Sequence, residues 1–311
     1  MVIGVLMGGP SEEREVSIKS GRAVAEALRK AGLRVEEILL AGRDLRELDG
    51  RRIDIAFIAM HGEFGEDGTL ARLLEERGIP YTGSDPDASR LAMDKIAAKR
   101  AFEAFGIPTP PYIVVNGTLD PWEADWFVHT ELDGYPVVVK PASNGSSIGI
   151  SIVDTRDGLR HAIGAALAHD RRVLIERYIA GRELTCGVIE NRPLPLVEMR
   201  PSRRFFDYRA KYQDQGTIYS VAPRMDPRLY RLCQEAALCA HIAVGARDFS
   251  RVDLILSGRK PFILEVNTIP GLTERSLLPK AAASVGMDFV SLCKRMVEMA
   301  AKRSKRLERT A

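Results

Sequence analysis

No CxxC pair occurs in the 311 residues, and no histidine cluster accompanies the four cysteines, Cys186, Cys233, Cys239 and Cys293. The usual zinc spacing and a disulfide framework are thereby excluded. All four sit in apolar stretches and read as small core residues. Unpaired thiols suit a reducing compartment, so the expected location is the cytoplasm. Charge of one sign is not in excess: 45 Lys+Arg against 42 Asp+Glu give a net +3, and no nucleic-acid partner is called for. The basic residues Lys302, Arg303, Lys305, Arg306 and Arg309 read as a solvated helix end suited to the macrodipole. No apolar run reaches membrane-spanning length, so no membrane partner is expected. Met1 to Leu6 lacks a basic n-region and runs into Gly8-Gly9, as a first strand does and a signal peptide does not. The Walker pattern and the G-x-G-x-x-G fingerprint are both missing, which removes the two commonest phosphate-binding loops. Repeats and low-complexity segments are missing too.

What is present is an ordinary globular balance, 45% hydrophobic and 28% charged, in a chain long enough for two or three domains. It is organised around PVVVKPASNGSSIGISIV, residues 136–153. Val137 to Val139 favour a buried strand that ends at Lys140 and Pro141. The small, Gly-punctuated loop 142–149 lets backbone N–H groups approach a phosphate, with hydroxyls from Ser146 and Ser147 and a point charge from Lys140. Ile150 to Val153 resumes a strand, so the unit is either a phosphate-covering hairpin of ATP-grasp type or a plain hairpin turn.

The first third alternates strand and helix, as α/β units do. Strands are expected at Val2–Met7, Val35–Leu40 and Ile53–Met60, with Ser11 capping a helix that stops near Gly32. The third strand runs into His61-Gly62-Glu63-Phe64-Gly65-Glu66-Asp67-Gly68-Thr69. Ligands sit on such loops, although His61 can equally be structural and Asp67 and Thr69 simple caps. One helix is expected from Asp85 to Phe105, then a rigid linker at 106–111. Beyond it come a strand, the hairpin, a helix near 156–169 and the strand Arg172–Glu176. A strand-rich region follows to Val221, then a helix at 226–245, strands at Asp248–Leu256 and Pro261–Val266, and a last helix from 285.

Glu265 and Asn267 share one strand face, and pairing across the turn at 257–260 adds Asp253. Three oxygen donors in apolar surroundings are costly unless a hard cation compensates them, and Mg²⁺ held by carboxylates and substrate phosphates matches. Exposed strand carboxylates are the alternative. Arg251 shares the face of Asp253 and can hold a carboxylate, and Gly271 offers an N–H to an oxyanion. The aromatic, charged segment 205–212 reads as a lid or as a partly exposed strand.

Taken in order, GGPSEEREVS (8–17), HGEFGEDGTL (61–70), YTGS (81–84), MDK (93–95), VVVKPASNGSSIG (137–149), LIERYIAGRE (174–183), FDYRAKY (206–212), SRVD (250–253) and LEVNTIPGLTERSLLP (264–279) resemble the D-alanine–D-alanine ligase family of the ATP-grasp superfamily. Pro10, Ala71 and Phe206 depart from that pattern without touching the presumed chemistry. The resemblance implies a mixed α/β, three-domain ATP-grasp fold: an N-terminal parallel-sheet α/β domain at 1–92, a central domain at 93–183 and a catalytic C-terminal domain at 184–311. It implies ATP as co-substrate and two Mg²⁺, with Mn²⁺ as an alternative, held by Asp253, Glu265 and Asn267. Lys95, Lys140, Ser146 and Ser147 would contact phosphates; Glu176, Tyr178 and Ile179 would form the adenine hinge; Glu183 would bind ribose. Glu13 would take the ammonium of the first D-alanine, and Ser276 and Leu277 the carboxylate of the second. Arg251 and Gly271 would stabilise the oxyanion. His61 and Lys211 would contact substrate, and Tyr212 would complete the lid and link through Ser146 to Glu13. A homodimer is implied as well. The rivals are a D-alanine–D-lactate ligase, another ATP-grasp carboxylate–amine ligase, and a nucleotide-binding module without catalysis.

Overall fold

The computed structural model describes residues 1–117, 121–143, 145, 149–200 and 216–308. Three sheets organise them. The first is parallel, in the order β2-β1-β3, from β1 (Val2–Gly8), β2 (Arg34–Leu40) and β3 (Ile55–Ile58). All four residues of β3 are buried, as a covered parallel strand requires. Side chains alternate along β1: Ile3, Val5 and Met7 pack with Val24 and Leu28 of α1 (Arg14–Lys30), while Leu6 packs with Leu70 and Leu74 of α2 (Thr69–Glu76). The expected Ser11 cap is corrected. Glu13 holds the N-cap position, and Ser11 Oγ instead accepts the Glu13 N–H and donates to the His61 carbonyl.

A second correction concerns the helix expected from Asp85 to Phe105. It is two helices, α3 (Pro86–Met93) and α4 (Lys95–Ala104). Asp94 leaves the helical backbone, and its carboxylate accepts the N–H groups of Ile96 and Ala97, capping a new helix. The Lys95 N–H turns to the Ala142 carbonyl, so Lys95 opens α4 beside the root of the Gly/Ser loop.

The second sheet is antiparallel, in the order β4-β7-β5-β6: β4 (Tyr112–Asn116), β5 (Val137–Pro141), β6 (Ser151–Val153) and β7 (Arg172–Arg177). Helices α5 (Pro121–Glu131) and α6 (Arg156–Leu167) share its core. The third sheet runs β11-β10-β8-β12-β13, with β9 beside β8. Its strands are β8 (Arg182–Ile189), β9 (Arg192–Pro193), β10 (Val197–Arg200), β11 (Ile218–Val221), β12 (Phe249–Ser257) and β13 (Lys260–Asn267).

Helix α7 (Pro227–Ala243) packs on this third sheet, and so does α4, through Ala98 and Phe102 against Leu184, Val252 and Ile263. The last helix begins at Phe289 rather than 285, after the short α8 (Leu277–Ala283). This α9 (Phe289–Glu308) places Met296 and Val297 in one core with Ile3 and Leu28. Shared cores thus bring the carboxyl ends of β1 and β3 to face the end of β13. No helix among the described residues is long and apolar enough to cross a membrane.

Candidate active site

Two cavities meet at β13, and Lys95 and Glu265 line both. The larger, about 940 Å³ and open to solvent, lies between the second and third sheets. Lys140 and Glu176 stand on one wall, Asp253 and Glu265 on another, and Tyr178, Ile179 and Glu183 line the remainder. The smaller, about 670 Å³, extends toward the first sheet and holds Glu13, His61, Arg251, Asn267 and Gly271.

The carboxylates are set by strand register. Asp253 lies opposite Glu265, and Arg251 opposite Asn267, in the antiparallel pair β12–β13. The register shifts immediately after Asp253, a bulge of the kind that re-aims side chains beside active sites. Asp253 is nearly buried. It accepts from Thr185 Oγ1 at 2.6 Å, from Arg251 Nε and Nη2 at 3.0 and 2.8 Å, and from Asn267 Nδ2 at 3.3 Å. Lys95 Nζ stands 3.8 Å from Glu265 Oε2. Among the described residues, no three His, Cys, Asp or Glu side chains cluster as a metal site. The donors available here are two carboxylates and the Asn267 amide, an all-oxygen set that fits a hard cation sharing further oxygens with a phosphate.

Lys140, at the end of β5, pairs with Glu176 Oε2 at 2.8 Å. Lys99 of α4 lies 3.0 Å from the other oxygen. Burial pushes the Glu176 carboxyl up, but the two ammonium groups outweigh it and hold its pKa below the ordinary 4.5. Burial also lowers the Lys99 pKa to about 8, against the opposing pull of Glu176. The Glu176 side chain is therefore committed to lysines, and the nucleotide hinge reading rests on Tyr178 and Ile179, beyond the end of β7.

Glu13 is buried between two loops. A Cβ at Gly62 would lie 2.9 Å from its Oε2, and one at Gly145 would lie 3.0 Å away. Gly62 and Gly145 thus both lie close to this carboxylate. Gly62 adds a φ of 74°, which favours glycine. His61 is buried, with Nε2 2.9 Å from Ser20 Oγ and Nδ1 3.1 Å from the Ile269 carbonyl. Burial disfavours its charge, but Glu66 at 3.5 Å, Glu13 and the carbonyl raise its pKa above the ordinary 6.5. It both lines the cavity and ties the first sheet to the 269–271 segment.

Ser276 precedes α8, and its Oγ accepts the Thr273 N–H. Leu277 packs toward Met199, so only its backbone is left for a ligand. Gly271 lines the smaller cavity, and a Cβ there would sit 3.2 Å from Ser276 Oγ. Ser146, Ser147, Lys211, Tyr212 and the whole proposed lid segment lie outside the described residues. The sequence reading missed Lys99, Glu66, Gly62 and Gly145. Lys99 had left a signal: it stands in the apolar stripe of α4, between Ile96 and Phe102.

Two antiparallel sheets clasping a cleft, with Lys140 on one wall and Asp253 and Glu265 on the other, define the ATP-grasp class. Family models described as D-ala D-ala ligase N-terminus and D-ala D-ala ligase C-terminus match residues 41–84 and 101–298. The chain is 46% identical to the D-alanine–D-alanine ligase of Desulforudis audaxviator, covering 97% of this chain and 99% of that protein. With the ligase of Syntrophotalea carbinolica it shares 45% identity over 95% and 94%. The crystal structure of the Bacillus anthracis D-alanine–D-alanine ligase is similar at a TM-score of 0.87 and 37% identity, covering 98% of this chain and 99% of that one. A Bacillus anthracis D-alanine–D-alanine ligase complexed with ATP gives 0.85 and 34% over the same shares. The chain belongs to the D-alanine–D-alanine ligase family.

Proposed function

We propose that the protein joins two D-alanines to D-alanyl-D-alanine for peptidoglycan precursor synthesis, consuming ATP and releasing ADP and phosphate. The observation that carries this reading is the meeting of two cavities at Lys95 and Glu265, one lined by Lys140, Tyr178, Ile179 and Glu183 and one lined by Glu13, Arg251 and Gly271.

A carboxylate is a poor electrophile, so phosphoryl transfer from ATP must first give it a leaving group. Lys95 and Lys140, with Ser146 and Ser147, hold the phosphates. Tyr178 and Ile179 border the base, and Glu183 takes the ribose. Asp253, Glu265 and Asn267 would hold two Mg²⁺, or Mn²⁺, which supply charge neutralisation for the triphosphate. Glu13 receives the ammonium of the first D-alanine, in a position fixed by Gly62 and Gly145, with His61 behind it. Ser276 and the Leu277 backbone receive the carboxylate of the second. Its amine attacks the acyl phosphate, and Arg251 with the Gly271 N–H stabilises the tetrahedral oxyanion. Arg251 is poised for this by its own bidentate bond to Asp253. Lys211 and Tyr212 close the lid against water, which would otherwise hydrolyse the intermediate. Domain boundaries near 93 and 184, a homodimer and a cytoplasmic location belong to the same reading.

Gly62→Ala tests the Glu13 assignment. The added methyl meets the carboxylate and strains a left-handed backbone position, so KM for D-alanine should rise about tenfold while ATP affinity stays unchanged. An unchanged KM would remove Glu13 from the substrate site. The acceptor is tested by product analysis with D-alanine and D-lactate supplied together near pH 7. In this family, tyrosine after the lid lysine goes with the dipeptide and phenylalanine with some ester-forming ligases. Tyr212 therefore implies the dipeptide, and a larger share of ester from Tyr212→Phe. Mainly ester from the unmodified protein would make it a depsipeptide ligase.

A further inference from the structure

Lys99 is fully buried on α4 and lines neither cavity. Its ammonium donates to Thr109 Oγ1 at 2.6 Å and to the Pro110 carbonyl at 2.9 Å, and lies 4.9 Å from the centre of the Tyr112 ring. Thr109 Oγ1 donates in turn to the Ile263 carbonyl of β13 at 2.8 Å. The same ammonium lies 3.0 Å from Glu176 Oε1, while Lys140 holds Oε2 at 2.8 Å. Two ammonium groups thus share one carboxylate, and all three are buried. A buried cluster with one surplus positive charge is costly unless an anion stands near it. Only Lys140 and Glu176 reach the larger cavity. The surplus charge is therefore presented there, through Lys140.

We propose that Lys99 is a positioning residue for the nucleotide: by sharing the Glu176 carboxylate it leaves Lys140 with net positive charge to offer phosphate oxygens. Without Lys99, Glu176 and Lys140 form a balanced pair, and Lys140 has no surplus charge to offer the phosphates. This rests on the reading of the larger cavity as the ATP site.

The test is ATP binding by calorimetry in the absence of D-alanine, on the full-length protein and three variants. The unmodified protein must bind ATP; if it does not, the reading of the cavity fails before Lys99 is at issue. Lys99→Met should weaken ATP binding about tenfold, with KM for D-alanine and kcat at saturating ATP little changed. Lys99→Gln keeps a donor for Thr109 and Pro110 yet should weaken ATP equally, which separates charge from tethering. The double variant Lys99→Met/Glu176→Gln returns the cluster to a single positive charge and should recover most of the lost affinity, a coupling that a merely structural Lys99 would not show. ATP bound as tightly by Lys99→Met or Lys99→Gln as by the unmodified protein overturns the proposal, as does a double variant no tighter than Lys99→Met. Should Lys99→Met not fold, Lys99→Gln alone decides.

Discussion

Replacing Glu265 with glutamine is expected to abolish turnover and leave the fold intact. The change removes one ligand charge at constant volume, at a side chain that faces Asp253 across the β12–β13 pair and lies near Lys95. The fall in kcat should be about 10²- to 10³-fold or more, the scale set by loss of one preorganised electrostatic group. Near-UV circular dichroism should be unchanged, and excess Mg²⁺ should restore little. An active Glu265→Gln enzyme at ordinary Mg²⁺ would refute the metal assignment.

Glu176→Gln should produce the largest loss of stability of any single change at the site. It leaves Lys140 and Lys99 as two buried ammonium groups with no shared anion. Removing one partner of a buried ion pair costs about 3–5 kcal/mol, and here both lysines lose theirs. The pH dependence has a fixed sign. The folded pKa of Glu176 lies below its ordinary 4.5, so its contribution is complete above that value and is lost as pH falls through the folded one. The folded pKa of Lys99 is lowered to about 8 from 10.5, so between those values the native state binds fewer protons and stability rises with pH. Urea unfolding at neutral pH reads the first effect, and the same titration repeated at acid and alkaline pH reads the second. A Glu176→Gln variant as stable as the parent would mean that the lysines are solvated and the cluster is not a buried one.

Much of this site was legible before any coordinates. Glu265 and Asn267 declare themselves by strand alternation, and the short turn at 257–260 makes Asp253 their neighbour in any hairpin. Lys140 follows from an apolar run that stops at a proline. Other features depend on contacts far apart in sequence. The break between α3 and α4 hides because residues 85–105 hold no glycine and no internal proline beyond Pro86. Only the capping carboxylate of Asp94 ends the one helix and starts the next. Helix α5 is hard to read because it is apolar on opposing faces: Trp122 and Trp126 are exposed while Ala124 and Val128 are buried. The bond from His61 to Ile269 spans 208 residues, and the role of Gly62 appears only once Glu13 is seen against it. The pairing of Glu176 with Lys99 was also hidden, because Lys99 lies 77 residues earlier on a helix wedged between the second and third sheets.

The central claim is activation of a carboxylate as an acyl phosphate, and oxygen transfer tests it most directly. D-Alanine labelled with ¹⁸O in its carboxylate is supplied with ATP and Mg²⁺, and the released inorganic phosphate is read by mass spectrometry. One labelled oxygen per dipeptide should appear in the phosphate, with ADP and D-alanyl-D-alanine formed in equal amounts. Dipeptide formed with unlabelled phosphate, or ATP cleaved to AMP, would contradict it.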